Sequence, residues 1–173
     1  MAASITRAPR EWDNYRVGMW LALAAISMMF MGLTSACVAS QGLGPAWKEI
    51  QARPLVWIDT VILLLSSITM EYTRRREGAL KGVLATLSLG LLFVAGQIGV
   101  FHQLAQEGYY LNSGRQSSFY YVLTGLHGIH VLGGILALAW IAVLRRYTRI
   151  EVMALYWHFM GGLWMYLLVV FFA

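Results

Sequence analysis

The chain has 173 residues, 59% of them hydrophobic and only 12% charged, with a net charge of +5 and a mean hydropathy of +0.62. Charge is too scarce to cover a water-facing surface, which excludes a soluble globular domain. A single cysteine, Cys37, excludes an intramolecular disulfide and any multi-cysteine metal cluster.

Five apolar runs follow one another at 17–39, 55–73, 82–101, 119–144 and 152–173. Each is close to the ~20 residues that a helix needs to cross the hydrocarbon of a bilayer. The expected fold is all-α: one membrane domain, residues 1–173, built as a polytopic bundle of five transmembrane helices. The first run has no small-residue cleavage site before the next polar loop and is longer than the apolar region of a signal peptide, so it is expected to be retained. It carries Gly32, Ala36 and Ser40 at four-residue spacing, and Cys37 as a small hydrophobe. The second run holds Trp57, Asp59, Thr60, Ser66, Ser67 and Thr69. It ends at Glu71, expected to pair with the arginines Arg74–Arg76 at the interface.

Ala95 and Gly99 in the third run, and Gly133 and Ala137 in the fourth, repeat the small-residue spacing. In hydrocarbon such stripes let backbones approach, so they are expected at helix–helix interfaces of the bundle. Gln97, in the middle of the third run, needs a partner for its amide, from a backbone or from a histidine on a neighbouring helix. The fourth run opens FYYVLTGLHGIHV (Phe119–Val131), and its His127 and His130 share one helix face. The fifth contains YWHF, with His158.

Of thirteen basic residues, ten fall on one side of the predicted membrane: Arg7, Arg10 and Arg16, then Arg74–Arg76 and Lys81, then Arg145, Arg146 and Arg149. Lys48, Arg53 and Arg115 fall on the other. Basic loops stay in the cytoplasm, which predicts an N-terminus inside and a C-terminus outside. The basic balance is accounted for without nucleic acid.

Histidine at membrane depth is costly and marks a functional or tightly satisfied position. One possibility is haem ligation by His130 or His127 with His158 opposite. Helix rise places His127 and His130 roughly 12 and 16 Å below the outer surface and His158 roughly 22 Å below it. Ligands of one haem belong at nearly equal depth, so interhelical hydrogen bonding is the favoured role. Asp59, Gln97, His127, His130 and His158 are thus the candidates for a structural polar network, with no catalytic, cofactor or metal ligand among them. Trp47, Trp57, Tyr109, Tyr110 and Tyr120 fit an outer aromatic belt, and Trp12, Tyr15, Trp20, Tyr72, Tyr147, Tyr156 and Trp157 an inner one. Trp57, Trp157 and Trp164 are candidate lipid contacts, with helix packing the plainer role for Trp164, which lies deeper.

The stretches GMWLALA (Gly18–Ala24), WIDTVILLLSSIT (Trp57–Thr69), the pair Gly96–Gln97, FYYVLTGLHGIHVLGG (Phe119–Gly134) and YWHFMGGLW (Tyr156–Trp164) occur in order, one per predicted helix. Together they resemble the haem-copper oxidase subunit III family, in its bacterial five-helix form. The resemblance implies a non-catalytic subunit of a terminal respiratory oxidase that reduces O2 to water. Such a subunit packs beside subunit I, holds phospholipids and sustains turnover. It implies no redox cofactor in this chain, haem and copper in subunits I and II, a place in a larger respiratory assembly, and residence in a bacterial inner membrane. Alternatives are the equivalent component of a quinol oxidase or nitric oxide reductase, or a b-type haem-binding cytochrome. Acids common in the family are replaced here by Ile26, by Val100 and Phe101, and by Gly161. The usual asparagine of the second motif is Asp59.

Overall fold

A computed structural model describes residues 11–41, 54–76, 80–109, 114–144 and 149–172. Arg7, Arg10, Trp47, Lys48, Arg53, Tyr110, Arg145, Arg146, Tyr147 and Ala173 lie outside the described residues, as does the side chain of Trp12. The five apolar runs form five α-helices: α1 (Glu11–Gln41), α2 (Pro54–Arg75), α3 (Leu80–Gln106), α4 (Arg115–Val143) and α5 (Ile150–Phe172). All five are long and apolar enough to cross a membrane. Several outrun their apolar runs, α1 by six residues at its start and α3 by five at its end. Hydropathy measures the hydrocarbon crossing, whereas the helical hydrogen-bond ladder continues into the headgroup layer. Pro54 begins α2 at the first helical position, where its missing N–H costs nothing.

Helices α2, α3, α4 and α5 pack as a closed ring in which each touches its two neighbours, and α1 lies outside it against α4 and α5 only. The α2–α3 pair is the tightest. Two glycines of α3 explain why. A Cβ on Gly82 would overlap the Thr73 hydroxyl, and a Cβ on Gly96 would overlap the Asp59 carboxyl group. The absent side chains on α3 are the space that α2's polar groups occupy. Phe30, Phe93, Leu123, Leu138, Trp157 and Leu167 fill the core between the helices.

Outward faces are as apolar as the core, with Leu64, Ile68, Leu91, Ile98, Leu136 and Trp140 all exposed. This is the expected surface of a bundle whose solvent is lipid. Polar clips hold α1. The Thr34 hydroxyl and the Tyr166 hydroxyl of α5 are 2.7 Å apart, and the Arg149 guanidinium donates to Tyr15 at 2.9 Å while covering its ring at 4.2 Å.

The small-residue stripes do not all lie where their spacing suggests. Gly32 and Ala36 on α1 and Gly133 and Ala137 on α4 are exposed, with open space beyond both glycines. Close approach within the chain uses Gly82 and Gly96 instead. Of the glycines in these stripes only Gly99 has a close neighbour, with Leu55 3.3 Å from where its Cβ would stand. Cys37 is fully buried and packs as a small hydrophobe.

Candidate functional site

The polar side chains of the spans gather where the ring helices meet. Asp59, on α2, is 1% exposed, and its carboxyl oxygen accepts a 2.8 Å hydrogen bond from the Gln97 amide of α3. The partner of Gln97 is therefore neither a backbone group nor a histidine. Asp59 reaches it because the adjacent Gly96 has no side chain in the way. Next to Asp59, Thr60 accepts from the Trp164 indole N–H of α5 at 3.1 Å and donates to its own helix at Val56. The Trp164 ring stacks on His127 of α4, centroids 5.3 Å apart, and Phe93 of α3 sets its edge against both rings. All four ring helices thus contribute to one buried layer.

His127 is fully buried, and neither ring nitrogen has a hydrogen-bond partner among the described residues. Its contacts are aromatic, so the interhelical hydrogen bond expected of it is not formed to a described side chain. His130, beside it on α4, turns toward α1. Its Nδ1 lies 2.7 Å from the Leu126 carbonyl of its own helix, and Phe30 of α1 packs against the ring. The link between helices here is made by the His130 backbone carbonyl, which accepts from the Tyr156 hydroxyl at 2.8 Å. His158 faces α2, with Nδ1 3.3 Å from the Ser67 hydroxyl and Nε2 3.6 Å from the Glu71 carboxylate. His130 and His158 therefore address different helices, and no group of three metal-ligating side chains converges among the described residues.

A second set of hydroxyls, absent from the candidate network, ties α2 to α3 and α5. The Trp157 indole donates to Ser66 at 3.0 Å, and the Thr69 and Thr86 hydroxyls lie 2.9 Å apart. In the sequence Thr60, Ser66 and Thr69 read only as isolated hydroxyls. The signal that could have found them is the repeated coincidence of a Ser or Thr on the second helix with a Trp on the fifth.

Trp157 and Trp164 are 2% and 1% exposed, which corrects their assignment as lipid contacts, whereas Trp57 is 53% exposed. Each buried indole has an N–H that hydrocarbon cannot satisfy, and the α2 hydroxyls accept it only inside the bundle. Tyr120 and Tyr156 also turn inward, whereas Tyr15, Trp20 and Tyr72 stay exposed near the basic end.

At that end Glu71 accepts two hydrogen bonds from Arg74, at 2.7 and 2.8 Å, and one from Arg75 at 2.8 Å. Because α1 does not touch α2, a cleft of about 480 Å³ opens between them over α5, lined by Arg16, Trp20, Glu71, Arg74, Glu151 and His158. From it an exposed stripe of α5, through Gly162, Met165 and Val169, runs toward the opposite end of the bundle.

The sequence model of the family described as cytochrome c oxidase subunit III matches residues 11–173. Among curated relatives, the cytochrome bo(3) ubiquinol oxidase subunit 3 of Pseudomonas putida is 30% identical, over 86% of this chain and 80% of its own length. The quinol oxidase subunit 3 of Bacillus spizizenii is 32% identical over 94% and 90%, and the cytochrome c oxidase subunit 3 of Bacillus sp. strain PS3 is 27% identical over 98% and 90%.

Proposed function

The chain belongs to the cytochrome c oxidase subunit III family, and from that premise we propose how it serves a terminal oxidase. It is a multi-pass membrane subunit of a respiratory oxidase and associates with the other subunits of that complex. The single observation that carries this is the family match, which runs through all five helices. The finer reading is that it packs beside subunit I, while haem and copper reside in subunits I and II and perform O2 reduction. The histidines of α4 support that division of labour: buried His127 sits among aromatic rings, and half-buried His130 bonds its own helix. The chain's own polar groups hold helices together rather than face a reaction centre.

Phospholipid retention is the second part of the proposal. The cleft at the basic end combines Arg16, the ion pair of Arg74 with Glu71, Glu151 and a Trp20 indole, with an exposed apolar stripe of α5 leading away from it. A charged mouth leading to an apolar helix face matches the two chemistries of a phospholipid. Basic residues at this end support a cytoplasmic N-terminus; the proposed setting is a bacterial inner membrane, with the complex in a larger respiratory assembly. The electron donor of the complex is cytochrome c or quinol. Relatives named as quinol oxidase subunits, at 30 and 32% identity, favour the quinol form as the second reading.

Stripping this chain from the native complex tests the role. Haem and copper content should stay nearly intact and initial O2 reduction should persist, followed by progressive loss over many turnovers with loss of bound phospholipid. Immediate loss of haem together with all activity would overturn the reading and favour a haem-bearing cytochrome.

A further inference from the structure

Three buried side-chain polar atoms have no hydrogen-bond partner among the described residues: Gln97 Oε1, His127 Nδ1 and His127 Nε2. All three belong to a single cluster. Phe93, one turn from Gln97 on α3, sets its edge on His127; Trp164 stacks on His127 and donates to Thr60; Thr60 adjoins Asp59, which holds the Gln97 amide. Scattered orphans would reflect scattered small misfits. Three in one layer point to a shared missing partner.

The donor count identifies it. Gln97 Oε1 only accepts, and a neutral imidazole offers one N–H donor and one bare acceptor nitrogen. The three orphan atoms therefore offer two acceptors and one donor; the second N–H of the Gln97 amide adds a donor, but one amide cannot reach both nitrogens of a single ring, so no pairing among them satisfies all three. If the imidazole donates to Gln97, its other nitrogen still needs a donor. Thr60 cannot supply one, because its hydroxyl proton is given to the Val56 carbonyl, and the Trp164 N–H is already committed to Thr60. We propose that the layer formed by Asp59, Gln97, His127 and Trp164 is an internal water-binding site, in which water donates to His127 and Gln97 in the middle of the membrane domain. Water is small and brings its own donors, and buried waters sit where two to four polar groups lack partners.

X-ray radiolysis of the intact detergent-solubilised complex tests this, because hydroxyl radicals arise in place from bound water and mark its neighbours irrespective of bulk exposure. Mass spectrometry should find His127, Phe93 and Trp164 oxidised severalfold faster than Phe30, which is equally buried but contacts none of the orphan atoms. In the variant His127→Phe with Gln97→Leu, which removes all three orphan atoms, oxidation of Phe93 and Trp164 should fall to the Phe30 rate. Labelling of the wild-type cluster no faster than Phe30 overturns the proposal, whatever becomes of the variant. So does undiminished labelling of Phe93 and Trp164 in an assembled variant complex.

Discussion

Replacing Gly96 by alanine isolates the contact on which the α2–α3 pairing depends. The added Cβ would fall on the Asp59 carboxyl group, which must then move away from the Gln97 amide. Overfilling a packed core costs about 1–3 kcal/mol. Losing one hydrogen bond inside a membrane bundle costs about 0.6–1.7 kcal/mol. Alanine's better helix propensity returns about 1 kcal/mol. The expected net destabilisation is about 2 kcal/mol, near thirtyfold in the unfolding equilibrium. Asp59→Ala alone should cost a similar amount, about 2 kcal/mol, because it leaves the Gln97 amide buried without a partner. The double variant should cost about 1 kcal/mol rather than ~4, since truncating Asp59 makes room for the new methyl group and leaves the helix-propensity gain in place. Denaturation in mixed micelles, followed by tryptophan fluorescence, measures all four corners of the cycle. If the two single effects simply add, the Gly96–Asp59 contact is not what sets the helix spacing. Gly18→Ala, with open space around the added carbon, serves as the control and should not destabilise.

Trp164→Ala should cost about 3–5 kcal/mol in the same assay, as it empties the volume between His127, Phe93 and Thr60. Trp164→Phe, which keeps a ring and loses only the indole donor, should cost about 1 kcal/mol; equal losses would refute the packing account. Glu71→Gln should weaken unfolding resistance only slightly, with an effect that shrinks as salt is raised, because its arginine partners are solvent-accessible. A salt-independent loss would contradict a surface ion pair. Reporter fusions at Gly78 and after Ala173 should give opposite signals, the first cytoplasmic, and equal signals would mean a miscounted crossing.

How many times the chain crosses the membrane was readable from the sequence, because hydrocarbon imposes its own thickness on every crossing and admits only segments that satisfy their backbone internally. The family was readable too, since its motifs lie one to a helix and in order. Glu71 could be paired with its arginines because they stand three and four residues away, within reach on one helix. The rotation of each helix about its axis was not readable. In water, periodicity marks the inner face, but lipid is as apolar as the core, so Leu136 facing out and Leu138 facing in look alike in the sequence. The same ambiguity put Trp157 and Trp164 at the lipid and Gly32 and Gly133 at helix contacts. Tertiary structure alone decided that both indoles turn inward to hydroxyls on α2, and that Asp59 meets Gln97 across the space left by Gly96. The physical reason is the cost of a polar group in hydrocarbon: each N–H and amide must find its partner on another helix, and which helix comes within reach depends on the packing of the whole bundle.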